Sequence, residues 1–355
     1  MSIFSKGTVL AQHKEPALSN PLLRFVNPQT QSLLIDRAVS GDISSLSADD
    51  LIDIARAAGI VDERDGVFLH RKLSRAKGKA VAVIADAIDD EPYVSSKIGP
   101  LLKLREEALG GIGLCCKIAG TDAVYIVAYK HITDLSMRIP RSIEGFKISR
   151  LRGGYPARPQ ASILGKQKGR KLIVGAGALI HLYRAAATGK RQSTVFITVA
   201  GNCVANPMNM EVSIGMTVQQ ILERCGLVDE PSRVVCGGSM TGVAIMDTER
   251  TLVTYTTKAV LAIKDAKTDR GLSCIGCSRC ERVCPRGLSP MYINKFVRSG
   301  FYKYLMDYDA HLCLGCGTCS YICPSRLDIS GSAIAAKQYA LTHELARRED
   351  EESED

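Results

Sequence analysis

Eight cysteines crowded into residues 274–324 constrain this chain more than any other feature. The stretch reads Cys274-x2-Cys277-x2-Cys280-x3-Cys284-Pro285, then Cys313-x2-Cys316-x2-Cys319-x3-Cys323-Pro324. This spacing wraps iron–sulfur cubes: the first three cysteines of a run bind one cube and the fourth crosses to the other. The expectation is two 4Fe–4S clusters. Cys274, Cys277, Cys280 and Cys323 would hold the first, and Cys313, Cys316, Cys319 and Cys284 the second. Two residues between ligands keep each loop tight enough for thiolates and backbone N–H groups to face one cube, and the prolines end the loops. Zinc sites usually set their ligands in pairs, and disulfide frameworks belong to short secreted chains. Clusters held this way carry single electrons and bind no substrate by themselves.

The chain has 355 residues, enough for two or three domains, and 46% of them are hydrophobic, which supports a real core. The remaining cysteines, Cys115, Cys116, Cys203, Cys225 and Cys236, lie in apolar or strand-like surroundings and read as buried free thiols. Thiolate-ligated clusters with free thiols point to a reducing, cytoplasmic setting. Met1 to Gln12 lacks the apolar region of a signal peptide, and no apolar run reaches the ~18 residues of a membrane span.

Net charge is +9 and unevenly spread. Glu349 to Asp355 carries six acids and reads as a solvated acidic tail. Residues 138–171 carry ten Lys or Arg against one acid, Glu144. Aromatic residues are sparse there, so nucleic acid is set aside as a partner. The choice left is a solvated basic loop or a docking surface for an acidic redox protein, with Arg150, Arg152 and Arg158 as its centre.

Residues 1–40 are weakly patterned, with a short helix over Gln29–Val39. Ser47-x-x-Asp50 resembles a capping box ahead of a helix that ends at Gly59. Residues 80–88 (AVAVIADAI) and 123–129 (AVYIVAY) read as buried strands around a helix over 98–118, a βαβ unit that predicts a parallel sheet. A helix over 132–138, strands at 146–151 and Leu172–Val174, and a helix over Ala176–Ala187 continue the alternation. This is an α/β domain over 41–190. STVFITVAG at 193–201 changes to period two, and EVSIG, a helix over Val218–Cys225 and a strand-rich 251–265 make a small mixed domain over 191–265. The cysteine module, 266–330, has a helix near Ser289–Tyr304 between its motifs. A helix over 331–347 and the acidic tail complete 331–355.

The order of α/β, small β-rich and ferredoxin-like domains resembles the C subunit of Rnf-type electron transport complexes. That family is related to microcompartment cobalamin reductase and to the flavoprotein subunit of complex I. AGIV at 58–61 looks like the segment leading into the family's glycine-rich loop. Asp90-Glu91-Pro92-Tyr93 looks like its Cys-Glu-Pro-Tyr, and Tyr155-Pro156 like its Tyr-Pro. ITVAGN at 197–202 and CGGSMTG at 236–242 resemble its soluble-ligand-binding β-grasp (SLBB) domain. The cysteine runs match residue for residue. The resemblance spans about residues 45–330. It implies a complex I flavoprotein-like parallel sheet, a β-grasp SLBB domain and a two-cluster ferredoxin-like module.

The departures bear on cofactors. After AGIV the family has a Gly-Gly-Ala-Gly-Phe-Pro-Thr loop that cradles flavin and nucleotide phosphate, since backbone N–H groups must approach the phosphate closely. This chain has Asp62-Glu63-Arg64-Asp65-Gly66-Val67-Phe68-Leu69-His70 instead. Carboxylates stand where an anion would bind. Ala157-Arg158-Pro159-Gln160 likewise lacks the family's glycine and glutamate. NAD(H) is therefore not expected as a cofactor. FMN would need another phosphate contact, from Arg64, Lys72 or the basic stretch. Glu91 and Tyr93 match a motif that lies near the flavin in the family, and equally read as a turn after a strand. Gly175-Ala176-Gly177 at a strand-to-helix junction lacks the third glycine of a dinucleotide fingerprint and reads as close packing.

Three function classes follow. The first is an electron-transfer subunit passing single electrons between redox partners such as a ferredoxin, a flavodoxin or a reductase complex. The second is an FMN-dependent NAD(P)H or cobalamin oxidoreductase subunit. The third is a scaffold subunit with structural clusters. The family setting implies association with a membrane complex at its periphery, or with a microcompartment.

Overall fold

The run at 80–88 supplies strand β2, Ala80–Ala87, at the centre of a five-stranded sheet. The computed structural model describes residues 25–26, 43–130, 139–152, 155–157, 169–264 and 271–354. The helices expected over Gln29–Val39 and 132–138 lie outside those residues. The chain divides into two units, Met1–Ala266 and Lys267–Asp355.

In the first unit, strand β1 is Phe25–Val26, and helices α1 (Ala48–Ala57) and α2 (Leu69–Ala76) precede β2. Ser47 and Asp50 form the expected capping box at the start of α1. The helix expected over 98–118 is two helices, α3 (Ile98–Lys103) and α4 (Arg105–Ala119), because Leu104 leaves the helical region (φ −105°, ψ 43°). Strands β3 (Val124–Tyr129), β4 (Ser142–Ile143), β5 (Phe146–Leu151) and β6 (Arg170–Gly175) follow, then helix α5 (Ala176–Thr188). The sheet order is β4-β5-β3-β2-β6, and β5, β3, β2 and β6 pair in parallel. Alternate residues of β2 face opposite sides. Val83, Ala85 and Ala87 join the core built from α1 to α5, while Ile84 packs with Val127 and Tyr129 on the other face.

The same unit holds a six-stranded mixed sheet. Its further strands are β7 (Thr194–Ala200) and β8 (Met208–Ser213), then β9 (Arg233–Cys236), β10 (Val243–Ile245) and β11 (Ala259–Ile263). The order is β1-β8-β7-β11-β9-β10, with helix α6 (Val218–Cys225) over a core of Val195, Ile197, Val212, Ile221 and Leu222. The Thr217–Gln220 capping box starts α6. The hairpin β9–β10 flanks the glycine-rich turn 237–242.

The second unit is the cysteine module. Helices α7 (Arg279–Arg282) and α9 (Thr318–Tyr321) are single turns inside the two motifs, and α8 (Pro290–Arg298) lies between them. α8 ends before the expected Tyr304 because Gly300 adopts a left-handed conformation (φ 72°). Helix α10, Ile329–Glu354, extends through the acidic tail. Ile293 and Leu305 pack with Ala333 and Ala336 of α10.

His181 on α5 is a core residue, 4% exposed, with its ring 5.6 Å from that of Phe196. Burial lowers its pKa from 6.5 to about 4. The folded state therefore resists a proton that the unfolded chain takes up below pH 6.5. The stability linked to this group is full above that pH and drains away as pH falls toward 4, by about 3 kcal/mol. His181→Leu should flatten that part of the pH–stability curve, measured by urea denaturation between about pH 7 and about pH 4. An unchanged acid limb would contradict the assignment.

Candidate iron–sulfur centres and the acidic loop

In the second unit, left-handed backbone at Gly276, Ser278, Gly315 and Gly317 turns the two motif loops tightly. Each loop runs into a one-turn helix that carries the third cysteine, Cys280 or Cys319, both buried. The structure brings the cysteines together as two sets of four. One cavity is lined by Cys284, Cys313, Cys316 and Cys319, with Leu288 and Ile293 behind them. The other is lined by Cys274, Cys277, Cys280 and Cys323, with Met291 and Ile329. The fourth cysteine of each motif thus stands with the first three of the other.

This donor set fits a polynuclear iron–sulfur group. None of the thirteen cysteines is in a disulfide. Among the described residues, no three His, Cys, Asp or Glu side chains converge as the ligands of a single ion would. Four sulfurs spread round a cavity suit a cube in which each iron takes one thiolate. Backbone N–H groups approach the sulfurs, Leu288 donating to Cys284 Sγ and Gly315 to Cys313 Sγ, both at 3.4 Å. Burial pushes the Cys319 thiol up to about 12 and raises Cys280 and Cys313 as well. Such thiols keep their protons until a cationic group takes the sulfur.

In the first unit, the acidic loop at 62–65 is closed on itself by charge. Asp62, 0% exposed, pairs with Lys72, accepts the Arg64 N–H at 3.0 Å and lies 3.3 Å from the Gly175 N–H. Glu63 accepts the N–H groups of Gly177 at 2.8 Å and Ala178 at 3.0 Å, at the start of α5. Burial and then the Asp62 charge push the Glu63 carboxyl up to about 7. Arg64 donates to Asp86 at 2.6 Å and also pairs with Asp65. Burial works to raise the Asp86 carboxyl, but Lys97 and Arg64 outweigh it and hold it below its ordinary value. Arg64 and Lys72 are thus committed to carboxylates of the chain itself. The glycines at 175 and 177 make room for Glu63: a Cβ at Gly175 would lie 2.2 Å from its Oε1.

Glu91, 3% exposed, reaches the other sheet of the unit. It accepts N–H groups from Met240 at 2.8 Å and Thr241 at 3.1 Å and the Thr241 hydroxyl at 2.8 Å, and it pairs with Lys258. Burial works to raise its carboxyl, but Lys258 and these donors outweigh it and hold it below its ordinary value. A Cβ at Gly238 would lie 1.9 Å from Glu91 Oε2, so the glycine-rich turn at 237–242 is shaped around this carboxylate. Tyr93 has a left-handed backbone (φ 66°) and packs with Val94, Ala200, Ala259 and Leu261. Arg64, Glu91 and Tyr93 do not converge on one site: Arg64 faces Asp86, and Glu91 and Tyr93 face the second sheet. Of the basic stretch, Arg141, Lys147, Arg150, Arg152 and Arg170 are exposed, and Arg158 lies outside the described residues.

The loop's carboxylates stood out in the sequence, but their partners did not. Lys97 and Asp86 went unremarked; the signal was an acid near a strand end followed by a lysine that burial alone would not favour.

The 4Fe-4S dicluster domain family matches residues 273–327, and the SLBB domain family matches 196–244. Fold and motif thus define a flavoprotein-like parallel sheet joined to an SLBB domain and an iron–sulfur domain. The chain is a relative of the C subunits of Rnf-type electron transport complexes. It is 26% identical over 312 residues to the C subunit of the Na(+)-translocating ferredoxin:NAD(+) oxidoreductase complex of Acetobacterium woodii, covering 82% of this chain and 70% of that protein. It is 28% identical over 272 residues to the C subunit of the ion-translocating oxidoreductase complex of Rhodobacter capsulatus, covering 69% of this chain and 51% of the relative. It is 25% identical over 276 residues to the counterpart from the proton-translocating ferredoxin:NAD(+) oxidoreductase complex of Clostridium ljungdahlii, covering 73% of this chain and 60% of the relative. The chain spans roughly half to 70% of these relatives. A crystal structure of an NAD+-reducing NiFe-hydrogenase shares the fold at a TM-score of 0.51 and 13% identity, over 85% of this chain and 55% of that one. Among the described residues, no helix is long and apolar enough to cross a membrane.

The position of Glu91 makes it a buried tie between the two sheets. Glu91→Ala would leave Lys258 and three donors without an acceptor and should cost about 2–3 kcal/mol. Urea denaturation reads that loss, and an unchanged midpoint would show that the tie contributes nothing.

Proposed function

We propose that this chain is an electron-transfer subunit that relays single electrons through two 4Fe–4S clusters between redox partner proteins, without oxidising NADH. The observation that carries the reading is the sorting of eight cysteines into two four-cysteine cavities, each completed by the other motif's last cysteine. Cys274, Cys277, Cys280 and Cys323 hold one cluster, and Cys313, Cys316, Cys319 and Cys284 the other. When bound, the clusters supply one-electron redox chemistry. The protein's part is to fix the cubes, exclude water with Leu288, Ile293, Met291 and Ile329, and present N–H groups to the sulfurs. Such hydrogen bonds and burial set a cluster's potential.

The loss of NADH oxidation is supported by the loop at 62–65, whose charges are satisfied within the chain. An adenine or flavin nucleotide brings further negative charge to a place already filled by carboxylates. The relatives' names place them in ion-translocating oxidoreductase complexes, which supports reading this chain as a subunit of such a complex, at the periphery of a membrane. Exposed Arg150 and Arg152 offer an acidic redox partner an electrostatic approach, which speeds encounter more than it tightens binding.

The test is the cofactor content of anaerobically purified protein. About eight iron and about eight acid-labile sulfide per chain, with no flavin, are expected. Cys284→Ser should damage the cluster of the second motif, though Cys284 lies in the first. Loss of the first motif's cluster instead, read by paramagnetic resonance of the variant beside Cys316→Ser, would overturn the crossed assignment.

A further inference from the structure

The two four-cysteine cavities are built from the same motif but differ in the charge set beside them. Helix α10 begins between them: Ile329 lines the first cavity, and Ser330 and Ala333 line the second. Lys337 stands one turn beyond Ala333, on the same face of the helix. Its Nζ donates to the carbonyl oxygen of Cys313, the first cysteine of the second motif, at 2.8 Å. The side chain is half-buried, although Ile334, Ala335 and Gln338 around it are exposed. Among the described residues no carboxylate pairs with it.

The first cavity has no such lysine among the described residues. The carbonyl just before Cys274, that of Ser273, accepts the neutral hydroxyl of Ser325 at 2.9 Å. Each cavity has one arginine at its lining, Arg279 on the first and Arg286 on the second. Both are exposed, so water and salt screen them, and a half-buried ammonium is screened less. Burial raises the Cys280 thiol and the Glu281 charge adds to that rise, whereas burial raises the Cys313 thiol against the charge of Lys337. A tie between helix and loop needs only a hydrogen-bond donor. An ammonium with no carboxylate to neutralise it also brings a positive charge to the second motif.

We propose that Lys337 raises the reduction potential of the cluster held by Cys313, Cys316, Cys319 and Cys284, through the positive charge it sets against the Cys313 carbonyl. The proposal rests on the two-cluster reading above. A cube with four thiolates gains a negative charge with each electron, and a cation nearby favours that state. Lys337 is a positioning residue: it meets the loop's backbone, not a ligand sulfur. Its charge favours the electron's resting on the second motif's cluster, so the two otherwise similar centres become unequal.

The test is an anaerobic redox titration of the full chain followed by paramagnetic resonance, with Lys337→Gln and Lys337→Arg beside the wild type at one pH and one ionic strength. Cys316→Ser identifies which step belongs to the second motif. In Lys337→Gln the ratio of reduced to oxidised cluster at that step, read at a fixed potential, should fall about threefold to tenfold, roughly 30–60 mV for a one-electron couple. The first motif's step should move no more than about half as far, because the charge lies farther from it. Lys337→Arg keeps the charge and should titrate like the wild type. An unmoved step, equal shifts in the Gln and Arg variants, or equal shifts at both steps would overturn the proposal. Should Lys337→Gln fail to hold iron, Lys337→Met takes its place. Loss of iron from both would make Lys337 a tie for the loop and overturn its role through charge. Iron and sulfide content of the wild type tests the two-cluster reading by itself, so a failure of that reading is not mistaken for a failure of this one.

Discussion

The second unit depends on one constraint, that neither cysteine motif completes a cavity alone. Cys284 stands with Cys313, Cys316 and Cys319, and Cys323 with Cys274, Cys277 and Cys280. This exchange obliges the two loops to pack side by side, with α8 and α10 closing round them. The local core is small, built on Ile293, Leu305, Ala333 and Ala336. Thiolate bonds to iron would supply much of what such a core lacks, because the free energy of metal binding becomes folding free energy when the site forms only in the folded chain.

In the first unit, the loop that follows α1 beside the parallel sheet is held by charge. Backbone N–H groups that could meet a phosphate meet Glu63 and Asp62 instead. Each cation of the loop has a carboxylate partner: Lys72 with Asp62 and Asp65, Arg64 with Asp86 and Asp65. Breaking one member of such a buried network leaves its partner uncompensated, so the arrangement holds together as a group. The β-grasp sheet is tied to this structure by Glu91, whose carboxylate gathers three donors from Met240 and Thr241 and the charge of Lys258.

Much of this was legible in the sequence for physical reasons. The apolar runs at 80–87 and 124–129 lie in a parallel sheet, and their burial on both faces is what makes such strands read as unbroken hydrophobic segments. The capping pairs Ser47–Asp50 and Thr217–Gln220 act within three residues of their partners, so local pattern suffices to find the first of them. Short elements were missed: α2, β9 and β10 are eight, four and three residues long, too brief for a clear period. The destinations of charges were also hidden. Glu63 was visible as an acid where the family has glycine, but its partners lie at 177 and 178, and those of Glu91 lie 149 and 150 residues away. Gly175 and Gly177 read as close packing, and the atoms they pack against are those of Glu63. Long-range contacts of this kind are decided by the fold, not by neighbouring residues.

On the proposed reading, electrons reach the clusters from a redox protein and not from a nicotinamide through this chain. The most direct measurement is an anaerobic reduction followed by paramagnetic resonance, with NADH added first and dithionite afterwards. No reduction by NADH is expected, then about two spins per chain from interacting reduced 4Fe–4S clusters with dithionite and no flavin radical. Cluster reduction by NADH alone, accompanied by bleaching of a bound flavin, would contradict the relay.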